Sequence, residues 1–359
     1  MSWFERVFGL QSQRGGHRNV YDIPEEARME LRRQKRLEEK SAADKLLGAF
    51  PVPDAPEIPR LGLRVEPASH DGLFQGVPPL LEALRAGGAR ATFYLNLGPD
   101  RAGLYFVRLL RNPRHLLRLR RFGLLRGYSW RTRLSGLLVP PRVVGAEAAP
   151  LARRIVEEGH EVGVQPWDRH AWQTGLQRMS ADLIDLQMER AAEAYEQIFG
   201  REPQTMASPG IVCSNESLRH GEKLGLRFAS DSHGTDPYLP NIEAHSLRVP
   251  QVPNTVPALQ DALGISAPDA ASFYEAVLAE TGGGRWPVLT VYPEVEGLVF
   301  LEAFKAFLGA SARKGVKVVP LSELLAARLA LEGELPSCTI SYGLLDGHLG
   351  LCSIQMLQV

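Results

Sequence analysis

From Leu61 onward the sequence alternates short runs rich in β-branched and aromatic residues with helix-like stretches, and no other feature limits the fold as much. The runs LGLRV, ATFYLNLG, HEVGV, FASDS, SLRVPQV, WPVLTVY and VKVVP have strand character. Between them lie helical patterns such as GVPPLLEALRAGGA. Another runs over residues 181–199, where Ile184, Met188, Ala191, Tyr195 and Ile198 share one face and Gly200 supplies a C-cap. Alternation of this kind indicates βαβ units around a parallel sheet, open or closed, and hence an α/β fold. Polar chemistry in such folds gathers where strands end. The candidate positions are therefore Glu66, residues 165–170, Pro209-Gly210, residues 231–233 and 292–294.

At 359 residues, with 44% apolar and 23% charged side chains, the chain can bury a large core as one domain with extensions. Its 41 basic and 41 acidic residues cancel, which argues against global attraction to nucleic acid but leaves room for a local patch. Cys213, Cys338 and Cys352 are too few and too scattered for a disulfide framework or a CxxC zinc site, and they favour a reducing, cytoplasmic compartment. No stretch has the roughly 18 apolar residues of a spanning helix, and Glu5 interrupts the first apolar cluster, so neither a membrane span nor a secretory signal is expected.

Four regions follow. Residues 1–48 form an extension with a charged helix over 22–48, capped by Asp22 and Glu25, whose thin apolar stripe suits a solvated or partner-bound helix. Residues 49–60, with four prolines in FPVPDAPEIPR, form a stiff linker. Residues 61–330 carry the alternating pattern, and 331–359 are a tail packed on it.

Within the third region, residues 101–144 break the rhythm, with eleven arginines, no lysine and no acid among Leu, Phe, Tyr and Trp. Helices here would set guanidinium groups beside apolar side chains, as interfacial amphipathic helices do, with Arg108, Arg114, Arg118, Arg121, Arg126, Trp130 and Arg131 facing an anionic lipid surface. The plainer alternative is a helical pair whose arginines are simply solvated. A contact with nucleic acid is a third reading, disfavoured by the dense leucines.

The frame LRVEPASHDGLFQGVPPLLEAL, ATFYLNLGPD, GHEVGVQPWDRHAW, FASDSHG, YPEVEG and VVPLSELL, in that order, resembles the polysaccharide deacetylase (NodB-type) family. It is nearest to the branch that deformylates formamido-arabinose on phosphoundecaprenol. The resemblance implies a distorted (β/α) barrel with the N-terminal helical extension and the Arg-rich insertion added to it. It also implies a divalent metal held by one Asp and two His, a second Asp as base and a late-strand His as acid, cleaving a sugar amide.

Measured against that pattern, this sequence keeps the frame and replaces its chemistry. The base position is Glu66, but the metal-binding Asp is Ala68. The two His ligands are Gln165 and Arg169, the cation of the third motif is Val212, and the acid is Tyr292. Glutamine is a poor ligand, and arginine cannot release its proton to bind a cation. The expectation is a site with no metal and no other cofactor. Arg169 would replace the ion electrostatically, pairing with Glu66 or Asp168, or else swing out to solvent. His70, Asp71, His170, Asp231 and His233 could in principle rebuild a metal site, though no tight ligand spacing survives among them.

The resulting expectation is a catalytically inactive deacetylase- or deformylase-like protein, peripheral at the cytoplasmic face of the membrane. It would bind a lipid-linked sugar or anionic lipid, or regulate or assemble with an active paralogous envelope enzyme. The binding candidates are Glu66, Trp167, Asp168, Arg169, His170, Asp231, His233 and Glu294. The alternative is a carbohydrate amide hydrolase with a divergent site that uses Glu66.

Overall fold

The computed structural model describes residues 57–282 and 284–357. The expected helix at 22–48, the apolar cluster at 3–8 and most of the linker lie outside them. Seven strands make one parallel sheet: β1 (Arg60–Val65), β2 (Thr92–Leu95), β3 (Glu161–Val164), β4 (Thr205–Met206), β5 (Phe228–Ala229), β8 (Val288–Val291) and β9 (Lys317–Val319). Their order is β5-β4-β3-β2-β1-β8, with β9 on the first half of β1. The α/β architecture is thus a curved parallel sheet wrapped by helices.

β1 shows why both faces of this sheet are covered. Leu61, Leu63 and Val65 point into the outer helical layer, while Gly62 and Arg64 point inward. A Cβ on Gly62 would lie 2.9 Å from the side chains of Leu321 and Leu324, so the helix Leu321–Glu332 can sit directly against the strand only because that position is glycine. The inner layer joins these leucines to Tyr94, Phe228 and Val288.

Between β5 and β8 the ring is closed by residues 250–256 rather than by a regular strand. The Ala229 N–H donates to the Pro250 carbonyl at 2.9 Å, and Thr255 N–H to the Val288 carbonyl at 3.3 Å. The expected strand SLRVPQV fails here because Pro250 and Pro253 have no N–H to give to a ladder. Of that run only Ser246 is in a strand, the short β7 (His245–Ser246), paired with β6 (Leu239–Ile242).

The C-terminal residues add an antiparallel hairpin, β10 (Ser337–Leu344) and β11 (Leu351–Leu357), and β10 pairs with β6. β11 also reaches the barrel rim, where His233 N–H donates to the Ser353 carbonyl and Ser353 N–H to the Ile211 carbonyl, both at 2.8 Å.

The 101–144 insertion folds into the short helices Ala102–Leu110, Pro113–Arg121 and Trp130–Leu134. Among the described residues no helix is long and apolar enough to cross a membrane.

Candidate functional site: a barrel mouth rebuilt around arginine

Strand register assembles the site. Val65 is opposite both Phe93 and Val291, and Leu95 is opposite Val164, so the residues that follow, Glu66, Tyr292 and Gln165, come together at the C-terminal rim. Arg169 opens the helix Arg169–Gly175, which is capped by the Asp168 carboxylate accepting from Ala171 N–H at 2.9 Å. That cap turns Arg169 back over the rim.

Its Nη1 donates to Glu66 Oε1 at 2.7 Å and to Gln165 Oε1 at 2.7 Å, and the Gln165 amide donates to the same carboxylate. From below, Arg64 Nη2 approaches Glu66 Oε2 at 3.2 Å, while its Nη1 donates to the Ser230 carbonyl at 2.7 Å. Glu66 and Arg64 are fully buried. Burial raises the carboxyl's pKa, but the charges of Arg169 and Arg64 outweigh it and hold the group below its ordinary range.

Of the two acids expected to partner Arg169, the structure selects Glu66. Asp168 instead faces Arg101 Nε at 3.3 Å and accepts its own helix cap. The side chain of Arg169 does not swing into solvent.

These residues do not fit a divalent ion. At the positions matching the family's ligands stand a methyl group at Ala68, a permanent cation at Arg169, and Gln165, whose amide oxygen already accepts from that cation. The residues considered for a rebuilt site are scattered. His70 faces Glu147 at 3.2 Å and Arg142 at 3.1 Å, whereas Asp71 accepts from Ser129 N–H at 2.6 Å. Asp231 accepts from Ser208 N–H at 2.7 Å and from Gln251 at 3.0 Å, and the His233 ring lies 6.3 Å from His348. No three His, Cys, Asp or Glu among the described residues are grouped to hold a metal.

Beneath this corner two single-turn π-helices, Gly72–Gly76 and Pro293–Gly297, interlock. A Cβ on Gly297 would lie 2.3 Å from the Gly76 carbonyl oxygen, so the contact requires glycine. Glu294, fully buried in the second turn, accepts from Ala68 N–H at 2.9 Å and Ser69 Oγ at 2.6 Å. It thereby shapes the loop that lost the aspartate. Burial pushes its pKa up to about 7 and that of Glu296 up to about 8. The backbone of Gly127, in the insertion, rests on the Glu294 carbonyl.

Above the corner is an open cavity of about 100 Å³. Of the eight binding candidates only Arg169 and His170 line it, together with Ala68 and Tyr292 from the altered motif positions. Tyr292 is buried, which raises its phenol's pKa well above the ordinary value and makes it a weak proton donor. Trp167 is fixed through its backbone, its N–H donating to the Gln187 carbonyl at 3.0 Å, and Val212 accepts from the Trp172 indole at 2.9 Å.

Among the other lining residues, the sequence did not place Arg101, Tyr105, Arg108, His115 and Tyr128 of the insertion, or Asp261 and His348 opposite them, at a cavity. Burial lowers the His348 pKa, but its hydrogen bond to Asp261, at 3.1 Å, more than offsets this and pushes it up to about 10.

The expected lipid-facing set divides. Arg114, Arg121, Arg126, Trp130 and Arg131 are exposed, as are Arg111, Arg120 and Arg133. Arg108 and Arg118 turn inward instead. Arg118 donates to the carbonyls of Gln260, Asp261, Leu263 and Gly347 at 2.8–3.1 Å, and Arg108 to that of Leu349 at 2.8 Å. Backbone acceptors, not lipid phosphates, satisfy these two.

A model of the polysaccharide deacetylase family matches residues 70–229, a span that includes Gln165, Arg169 and Val212. Residues 70–229 carry a polysaccharide deacetylase domain. Among the proteins this chain resembles, the "Probable 4-deoxy-4-formamido-L-arabinose-phosphoundecaprenol deformylase ArnD" of Shewanella sediminis (strain HAW-EB3) is 26% identical over 268 residues, covering 75% of this chain and 86% of the relative. The protein of the same description from Wigglesworthia glossinidia brevipalpis is 24% identical over 283 residues, 78% of this chain and 96% of the relative. The fold is shared with the crystal structure of a "putative polysaccharide deacetylase" from Mycobacterium smegmatis, with a TM-score of 0.54 and 15% identity over 82% of this chain and 98% of that one. The polysaccharide deacetylase barrel expected from the motifs is therefore the fold observed.

Proposed function

We propose that this chain is a catalytically inactive member of the polysaccharide deacetylase family that binds an anionic, lipid-linked sugar or an anionic lipid at the cytoplasmic membrane face. It would present that ligand or assemble with an active envelope-modifying enzyme. The reading is carried by the Arg169 guanidinium, 2.7 Å from both Glu66 and Gln165, at the place where the family pattern would put a dication. Glu66, the one carboxylate left for a base, has its charge held by two arginines and its pKa lowered, so it is a poor proton acceptor. Amide cleavage without a Lewis acid also loses several kcal/mol of transition-state stabilisation.

Binding asks for less than catalysis. The open cavity, with Arg101, Arg108 and Arg169 on its wall, supports an anionic ligand, and the exposed arginines of the insertion support a negatively charged membrane surface. The deformylase relatives are described as acting on a phosphoundecaprenol-linked sugar, which is why a ligand of that kind is proposed.

The test has two arms. Purified protein incubated with N-acetyl and N-formyl sugars, with and without zinc, cobalt or nickel, is expected to release no acyl group above background. Metal-dependent release would overturn the inactive reading. Sedimentation with anionic vesicles is expected to carry the protein down, and its absence from the pellet would overturn the membrane reading.

A further inference from the structure

The inward turn of Arg108 and Arg118 has a consequence for the protein's surface. The helix Pro113–Arg121 spaces Arg114, Leu117 and Arg121 so that all three stand on its outer side, with Leu117 63% exposed, and Leu110, just before it, is 71% exposed. Arg118, on the opposite side, ties this helix to two other elements: the helix Leu259–Ala262 with the turn that follows it, and the loop between β10 and β11. Those elements also expose apolar side chains, Ile265 at 49%, Leu344 at 76% and Leu351 at 50%.

The three parts are held closely. A Cβ on Gly264 would lie 2.7 Å from the Phe122 ring, and one on Gly347 would lie 2.0 Å from the Asp261 carbonyl oxygen and 3.0 Å from the Ile265 side chain. The cavity lies between them, lined by His115 from the first part and Arg108 from the helix before it, Asp261 from the second, and His348 and Leu349 from the third.

We propose that the β10–β11 loop and the turn at 263–267 form the second rim of one bilayer-docking surface whose first rim is the insertion, so that the cavity opens at the lipid surface between them. This rests on the membrane reading above. The occupant is an anionic bilayer rather than a protein because the apolar side chains are few, separated and bordered by Arg111, Arg114, Arg120 and Arg121, while the nearby acids include Asp346, at the loop tip, Asp269, which caps the next helix through Ser272 N–H, and Asp261, already held by His348. Leucines that enter a headgroup layer beside arginines that meet its phosphates are the pattern such a surface needs.

The experiment uses the full chain and vesicles of phosphatidylethanolamine with phosphatidylglycerol. Leu344→Glu combined with Leu351→Glu is expected to weaken binding on the order of tenfold, and Leu110→Glu combined with Leu117→Glu at least as much. If the loop variant binds like the unaltered protein while the insertion variant does not, the second rim is refuted and the membrane reading stands. If the unaltered protein fails to bind, both are refuted. A Leu344→Trp variant adds a readout independent of affinity: its fluorescence should be quenched by brominated lipids, and an unquenched signal on bound protein would overturn the proposal.

Discussion

At the barrel mouth Arg64, buried, and Arg169, mostly buried, face one carboxylate, whereas in the insertion Arg114, Arg121 and Arg131 stand in water with no acid in their own segment. The residue type is the same and the energetics are opposite. A buried guanidinium is tolerable only with a paired charge and filled hydrogen bonds, and Glu66, Gln165 and the Ser230 carbonyl supply these. An exposed one owes little to the fold and remains available to a phosphate. Arg118 falls between, a cation satisfied by four carbonyls. Location decides whether an arginine here holds the barrel together or remains free for a ligand.

The largest effect that could break this contrast is at Glu66. Glu66→Gln leaves two buried cations without their counter-charge, and chemical unfolding should show a loss of about 3–5 kcal/mol. A loss below about 1 kcal/mol would mean that Arg64 and Arg169 escape to water and are no different from the insertion's arginines. Arg118→Met should cost about 1–3 kcal/mol, because charged hydrogen bonds to backbone are lost, and vesicle sedimentation of the same variant would show whether the insertion keeps its pose.

Proton linkage sharpens the comparison with opposite signs at the two ends of the pH scale. The lowered pKa of Glu66 contributes stability that is present above its ordinary value of 4.5 and is lost as pH falls. Glu294 and Glu296, raised to about 7 and about 8, contribute stability that is full below 4.5 and is lost as pH rises through those values. Thermal unfolding of Glu296→Gln from pH 5 to 9 should therefore decline less on the alkaline side than that of the unaltered protein. The smallest change in stability is expected at Arg114→Ala, within about 0.5 kcal/mol, yet it should weaken anionic-vesicle binding by about 1 kcal/mol.

Much of the barrel was legible because its signal is local. The helix Ala181–Phe199 buries Ile184, Met188, Ala191, Tyr195 and Ile198 and ends on a left-handed Gly200, as its spacing indicates. The Arg169–Glu66 pair was legible in part: motif order brings both to the barrel mouth, but Asp168 and solvent remained open as alternatives, because Arg169 lies on the helix that follows the β3 loop and its aim depends on that turn.

Arg64 was overlooked although its signal was present: in LRVE, period two puts residues 64 and 66 on one face, and an arginine inside an apolar strand needs a partner. The hairpin was also within reach, because Asp346-Gly347 lies between two alternating runs. The direction of Arg118 was not. Its partners are backbone carbonyls at least 142 positions away, and carbonyls leave no trace in residue identity.

The closure at 250–256 gives the wall of the barrel a seam. Where β1 to β4 each pair with a strand on both sides, this stretch joins the wall through isolated bridges, and two of its residues have no amide proton to contribute. There the stave is sewn in by side chains as well as backbone, Gln251 to Asp231 and Asn254 to Thr290, so its hold depends on the identity of two polar residues in a way that a regular ladder does not.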